Sequence, residues 1–280
     1  MTEPLPNVIF NNMLKCTFIH LPGVGERTEA HFWGQGLHTW EDFLAAREVP
    51  GLGRQRLVQL RSGIEESLAH EDNPGYFAPL LPPAERWRLF RRFRERAAYL
   101  DIETTGYTWP GLQVTVVGLY DGRDMRQFIH GQNLEEFPEA LKNLDLVVTF
   151  NGSQFDLPVL RAYFPDLKLP PVHLDLRFIL TRLGFKGGLK KIEPRFGIHR
   201  PPEVAGMDGY EAVLLWDRHC RGDYNALPTL LTYNREDVVN LEILMDRAFH
   251  LAQSRLLGVG GQGLNICAPR EKGEEAKQRW

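Results

Sequence analysis

The stretch Ala97-Ala-Tyr-Leu-Asp-Ile-Glu-Thr-Thr-Gly106 decides how the fold is read. An apolar run ends there in two carboxylates, Asp101 and Glu103, one residue apart. On a strand, residues i and i+2 share a face, so both acids project the same way from the end of a buried strand. Two negative charges that close repel unless a cation sits between them or one stays protonated. The pair therefore points to a divalent-cation site or a shared proton. A solvent-facing polar strand end is the other reading, and the later chain has to decide between them.

Short β-rich runs follow at Ala97–Ile102, Gln113–Tyr120, Met125–His130 and Leu146–Phe150. Pro110-Gly111 and Asp121-Gly122 punctuate them, and Asp-Gly is a hairpin signal, so the first three runs read as an antiparallel meander. Helices are expected at about 134–142 and 155–163. A short strand at 172–174 comes next, then a helix near 176–183 and a long helix from about 227 to 257, with Pro228 in its first turn. This order indicates an α/β layer fold with a mixed sheet. The fourth run is apolar throughout, as in a central strand lying beside the first.

Two further segments carry acids in informative places. In Val147-Val-Thr-Phe-Asn-Gly-Ser-Gln-Phe-Asp156, Asn151 and Gly152 turn the chain, and Ser153 is a candidate cap for the next helix. Asp156 falls in that helix's first turn, where the helix dipole favours a carboxylate. Phe155 is expected to pack beneath the site. In Leu231-Thr-Tyr-Asn-Arg-Glu-Asp-Val-Val-Asn-Leu241, Tyr233 and Asp237 stand four residues apart on one helical face. Asp237 lies at the margin of the buried stripe, an odd place for an unpartnered charge. Asp175, after the fifth strand, reads as a helix cap or as a carboxylate outside the main cluster.

Asp101-Ile-Glu103, Asn151-x-x-x-Phe155-Asp156 and Tyr233-x-x-x-Asp237 together resemble the three motifs of the DEDD superfamily of 3′–5′ exonucleases, tyrosine subclass (DEDDy), and within it the YprB-type branch. The resemblance covers about residues 96–250. It implies a ribonuclease H-like three-layer fold with a mixed five-stranded sheet. It implies Asp101, Glu103, Asp156 and Asp237 as ligands of two divalent cations, Mg²⁺ or Mn²⁺, whose preference for oxygen donors suits carboxylates. In two-metal sites, about 3.5–4 Å apart, one cation activates water and the other stabilises the departing oxygen. Tyr233 would hold the attacking water, because a phenol with an ordinary pKa of about 10 is a poor base at neutral pH. The implied substrate is a single-stranded or frayed DNA or RNA 3′ end. A non-catalytic nucleic-acid-binding protein of the same fold and a ribonuclease H-like endonuclease are the alternatives.

Residues 1–82 read as a small helical module. Leu21-Pro-Gly-Val-Gly-Glu-Arg27 and Val49-Pro-Gly-Leu-Gly-Arg-Gln55 each set Gly-x-Gly before a helix, resembling tandem helix-hairpin-helix units. Gly23, Gly25, Gly51 and Gly53 either present backbone N–H groups to a phosphate or let two helices pack closely. Residues 71–83 read as a turn-rich linker. Residues 83–95 read as a linker helix, with Trp87, Phe90 and Phe93 on the core and most of its arginines in solvent; a track for a nucleic-acid backbone is the alternative. The exonuclease domain is expected over 96–257 and a flexible tail over 258–280. Asn151, Lys186 and Lys190 are candidate nucleic-acid contacts.

Composition sets the outer limits. At 280 residues the chain can bury a full core, and 43% hydrophobic with 25% charged residues is ordinary for a globular protein. No apolar run is long enough to span a membrane. The start, Met-Thr-Glu-Pro-Leu-Pro, lacks a signal-peptide pattern, so a cytoplasmic location is expected. Cys16, Cys220 and Cys267 are scattered and form no metal-binding or disulfide pattern. A net charge of −3 confines any nucleic-acid binding to local patches.

Overall fold

The computed structural model describes residues 12–106 and 111–258. Strands β1 (Ala97–Thr104), β2 (Val114–Tyr120), β3 (Met125–Ile129), β4 (Leu146–Thr149) and β5 (Val172–Asp175) form one mixed sheet in the order β3-β2-β1-β4-β5. β1–β2 and β2–β3 are antiparallel, as the hairpin signals require, while β1–β4 and β4–β5 are parallel. The expected α/β fold with a mixed five-stranded sheet and a helical N-terminal region is what the chain adopts. The tail expected over 258–280 lies outside the described residues from 259 onward, as does the turn up to Pro110.

The helices are α1 (Glu26–Gly34), α2 (Trp40–Ala45), α3 (Arg54–Ala69), α4 (Pro74–Leu80), α5 (Asp156–Tyr163), α6 (Leu176–Arg182), α7 (Gly209–Cys220) and α8 (Ala226–Leu256), with single helical turns between them. Both faces of the sheet are covered. Alternate residues of β1 divide between them: Ala98, Leu100 and Ile102 pack with Phe137, Val159 and Leu160. Tyr99 faces the layer containing Val238, Leu241 and Phe249 of α8. Because β1 alternates strictly, Asp101 and Glu103 lie on the α8 side with Tyr99.

Two connecting segments differ from expectation. The turn-rich stretch 71–83 contains α4, capped by Asn73, with Pro74 in its first turn. Phe77 of α4 is fully buried and stacks on Trp40, so burial of an aromatic outweighs the local Pro and Gly content. Residues 83–96 are not one α-helix. They run as 3₁₀ (Pro83–Leu89), one α turn (Phe90–Phe93) and 3₁₀ again (Arg94–Arg96). The three-residue spacing of Trp87, Phe90 and Phe93 matches a 3₁₀ period, which stacks i and i+3 on one face. All three are buried, Trp87 and Phe90 against Phe249 of α8.

Arg88 is the arginine of this segment that departs from the solvated reading. Its side chain is wholly buried, with Nη1 donating to both carboxylate oxygens of Glu29 at 2.9 and 2.8 Å and Nε to Glu85 at 2.9 Å. Glu29 also accepts the backbone N–H groups of Phe18 and Ile19. A buried ion pair is best tolerated when its remaining hydrogen-bonding capacity is filled; Glu29 meets that condition, whereas Arg88 Nη2 is buried with no hydrogen-bond partner among the described residues.

Candidate active site

β1 extends beyond the end of β4, whose parallel pairing with it stops at Tyr99↔Val148. The N–H of Ile102 is taken by Asp156 Oδ1 at 3.2 Å. That bond brings the first residue of α5 against the acids of β1. From the other side, α8 crosses β2 where Gly118 stands opposite Asp101 in the β1–β2 register. A Cβ on Gly118 would lie 2.3 Å from Asn234 Oδ1 and 2.7 Å from Val238, so only glycine lets α8 come this close. Asn234 uses the approach to donate to Asp101 Oδ2 at 3.3 Å.

Carboxylate oxygens of Asp101, Glu103 and Asp237 lie within 4.8 Å of one another. Asp156 stands beside this trio through Ile102 and is 4% exposed. Burial first, then repulsion from neighbouring acids, pushes Asp101 and Glu103 well above the ordinary carboxylate range. Burial raises Asp156 to about 7. Burial also raises Asp237, against the opposing pull of Arg200 and Lys190. Glu103 Oε1 is buried with no hydrogen-bond partner among the described residues. Such an oxygen is costly unless something positive reaches it. An all-oxygen donor set with one unmatched lone-pair site fits a hard divalent cation such as Mg²⁺ or Mn²⁺.

Tyr233 is 3% exposed and lies one helical turn before Asp237 on the same face. Burial, then the charges of Asp237, Glu103 and Asp101, raise its pKa, so the phenol keeps its proton. Lys190 donates its ammonium to the Tyr233 hydroxyl and lies 4.1 Å from the ring centroid. Its side chain therefore joins the acid cluster, in addition to any phosphate role, while Lys186 is exposed. Asn151 adopts a left-handed backbone (φ 69) and accepts from Arg177 Nη1 at 2.6 Å.

Two local readings change. Ser153 does not cap α5; its N–H and hydroxyl donate to Asp175 instead. Asp175 also accepts from Asn151 N at 2.8 Å and caps α6 through Arg177 N at 3.1 Å. One carboxylate thus braces the turn that delivers Asp156. Phe155 is 40% exposed rather than packed beneath the acids.

Sequence patterns missed a second layer. Arg200 Nη2 donates to Asp237 at 2.5 Å, while its Nε and Nη2 form a fork on Glu193 at 2.8 and 2.7 Å. Asn240 donates to Glu193 at 2.9 Å. Arg200 sits in an irregular loop with no periodic signal. Gly118 was also missed, although it carries a signal that could have found it: a lone glycine inside an apolar strand marks close approach by another element. The glycines of the two N-terminal Gly-x-Gly segments lie at or just before helix starts. Gly25 and Gly53 are the N-caps of α1 and α3, and Gly23 and Gly51 have positive φ. Arg56 of α3 donates to Pro22 O beside Gly23.

A mixed five-stranded sheet with acids meeting at the ends of its central strands and on a flanking helix defines a ribonuclease H-like protein. Residues 98–249 match the RNase H superfamily, and the chain belongs to that family. Among solved structures it is similar to the family B DNA polymerase of the hyperthermophilic archaeon Pyrobaculum calidifontis (19% identity, TM-score 0.47) over 57% of this chain and 25% of the polymerase. It is also similar to the Nibbler EXO domain of Aedes aegypti (13% identity, TM-score 0.33), over 62% of this chain and 85% of that one. The chain thus spans about a quarter of the polymerase's length. No curated protein matches it.

Proposed function

We propose that this protein is a metal-dependent 3′–5′ exonuclease of the DEDD superfamily, tyrosine subclass and YprB-type branch, acting on a single-stranded or frayed DNA or RNA 3′ end. The observation that carries the reading is the convergence of Asp101, Glu103 and Asp237 within 4.8 Å, with Tyr233 one turn before Asp237. Asp101, Glu103, Asp156 and Asp237 would hold two divalent cations, Mg²⁺ or Mn²⁺. When bound, the cations supply acidified water and neutralise charge on the phosphate and the departing oxygen.

The chain's own groups do the rest. Tyr233, kept protonated by burial and surrounding acids, donates a hydrogen bond and orients the attacking water rather than acting as base. Lys190 fixes the phenol and adds positive charge where the phosphodiester arrives. Asn234 and Arg200 hold Asp101 and Asp237 in place. Asn151 and Lys186 would meet the strand. Residues 1–82 would be a helix-hairpin-helix-like module whose Gly23-x-Gly25 and Gly51-x-Gly53 turns meet phosphates, at helix starts suited to anions.

Digestion of 5′-labelled single strands, DNA and RNA, with Mg²⁺, Mn²⁺ or EDTA tests the reading. Expected is a ladder of shortening products that needs metal and is lost in Asp101→Ala while nucleic-acid binding persists. Cuts within circular single strands would point to an endonuclease, and no cleavage under either metal to a binding protein.

A further inference from the structure

The turn that carries Asp156 shares a wall with a cleft outside the acid cluster. A cavity of about 500 Å³ lies between the 3₁₀ segment Pro83–Leu89, the end of β5 and α6, with Arg86, Ser153, Leu174, Asp175, Phe178 and Arg182 on its walls. That volume is ordinary for a small-molecule or single-group site, about 300–1,000 Å³. Phe178 is 48% exposed there, although the flanking residues Leu176 and Leu180 of the same helix are fully buried. It is an aromatic surface that the fold does not use.

The charge at the mouth of the cleft is positive. Of the lining arginines, Arg182 has a side chain 50% exposed, with Nη1 on Ala84 O at 2.6 Å and on Glu85 at 2.8 Å, and Arg86 is half-buried, with Nε on Ala78 O at 3.0 Å; Arg177, next to Phe178 in the helix, is exposed. The nearby acids are already engaged. Glu85 is 6% exposed and pairs with Arg88 and Arg182. Asp175 accepts from Asn151 N, Ser153 N, the Ser153 hydroxyl and Arg177 N. Arg177 bonds Asn151 Oδ1, so the wall is continuous from the turn before Asp156 to the cleft. An exposed aromatic face with guanidinium groups around it is the arrangement that stacks a nucleobase and screens its flanking phosphates.

We propose that this cleft binds one nucleobase of the substrate strand on the 5′ side of the scissile bond, with Phe178 as the stacking platform and Arg86 and Arg182 toward the adjoining phosphates. The inference rests on the nuclease reading, since a strand entering by its 3′ end leaves its remaining nucleotides on the 5′ side. Arg86, whose Nε donates to Ala78 O, is the one arginine of the 83–95 run that lines the cleft.

The test is an abasic scan. Fluorescence anisotropy of the full-length protein, with EDTA present to prevent cleavage, measures binding to a labelled single strand and to versions lacking one base at each position. Expected is one position whose missing base weakens binding by roughly 5- to 150-fold, the range of a single base–aromatic stack. Phe178→Ala, an exposed side chain whose loss spares the core, should weaken the intact strand by a similar factor and remove the sensitivity at that position alone. Unchanged affinity in Phe178→Ala, as expected if the cleft serves a protein partner, overturns the proposal. So do losses that add to the abasic effect at every position. A protein that shortens strands with Mn²⁺ but shows additive losses removes the cleft assignment and leaves the nuclease reading. One that shows the Phe178-dependent position without shortening any strand does the reverse.

Discussion

Asp101 and Glu103 sit where the fold disfavours their charged form. Their pKa values are raised by burial and by Asp237, so the folded state retains protons that the unfolded chain has lost. For an acid with a raised folded pKa, stability falls as pH climbs from the unfolded value, about 4, through the folded one. At neutral pH the metal-free cluster therefore opposes folding. Asp101→Asn should raise the melting temperature of the metal-free protein and abolish the upward shift produced by Mn²⁺. A lower melting temperature in EDTA would contradict this account. Arg200 works in the opposite sense. Its side chain is 5% exposed and bridges Glu193 and Asp237. Arg200→Met removes the guanidinium that both acids share and should cost about 3–5 kcal/mol in urea unfolding, as breaking a buried pair does.

At the level of elements, the site depends on how closely α8 crosses β2. Gly118 sets that distance, and Asn234 exploits it to reach Asp101. Gly118→Ala should cost about 1–3 kcal/mol, as overpacking does. Because it displaces α8, and with it Tyr233 and Asp237, it should also lower metal-dependent cleavage by about 10²-fold, the scale of a misplacement near 1 Å. Equal activity with reduced stability would show that α8 can shift without disturbing the acids. The brace from β5 is the parallel case: Asp175 and the His173–Thr149 hydrogen bond at 2.8 Å both tie the turn before α5 to the neighbouring strand.

Across the whole molecule, one core cluster runs from Met13 through α3 and the 83–96 segment to α8. Phe249 of α8 is covered by Trp87 and Phe90. Deleting residues 1–95 would uncover it, and the shortened chain should aggregate or melt well below the full one in a thermal scan. Acid sensitivity should be global as well. His20, in contact with Ser67 at 2.8 Å, is buried and its pKa is pushed down to about 4. A histidine with a lowered folded pKa stays neutral in the fold while the unfolded chain binds its proton. This residue's contribution to stability is therefore intact above about pH 6.5 and is lost toward pH 4, by about 3 kcal/mol at most. His20→Gln should flatten that part of the stability–pH curve.

The antiparallel meander, the fourth strand beside the first and the mixed sheet were legible because period-two runs, hairpin glycines and an apolar fourth strand are local signals, and local signals survive without knowledge of partners; the place of the fifth strand was not read. Two pairings were legible for the same reason: strand alternation puts Asp101 and Glu103 on one face, and helical spacing pairs Tyr233 with Asp237; that these belong together with Asp156 came from the resemblance to the exonuclease motifs. The helix at 74–80 and the 3₁₀ course of 83–96 were not, because burial of Phe77, Trp87 and Phe90 against distant elements outweighs local propensity. Arg200 on Asp237, Lys190 on Tyr233, Asp175 under the turn and the exposure of Phe155 and Phe178 were decided by tertiary structure alone. Each depends on which side chains meet across tens of residues, and no periodicity encodes that meeting. The sequence by itself determined which groups could form the site; packing of α8 and β5 against β1 and β4 determined which of them touch.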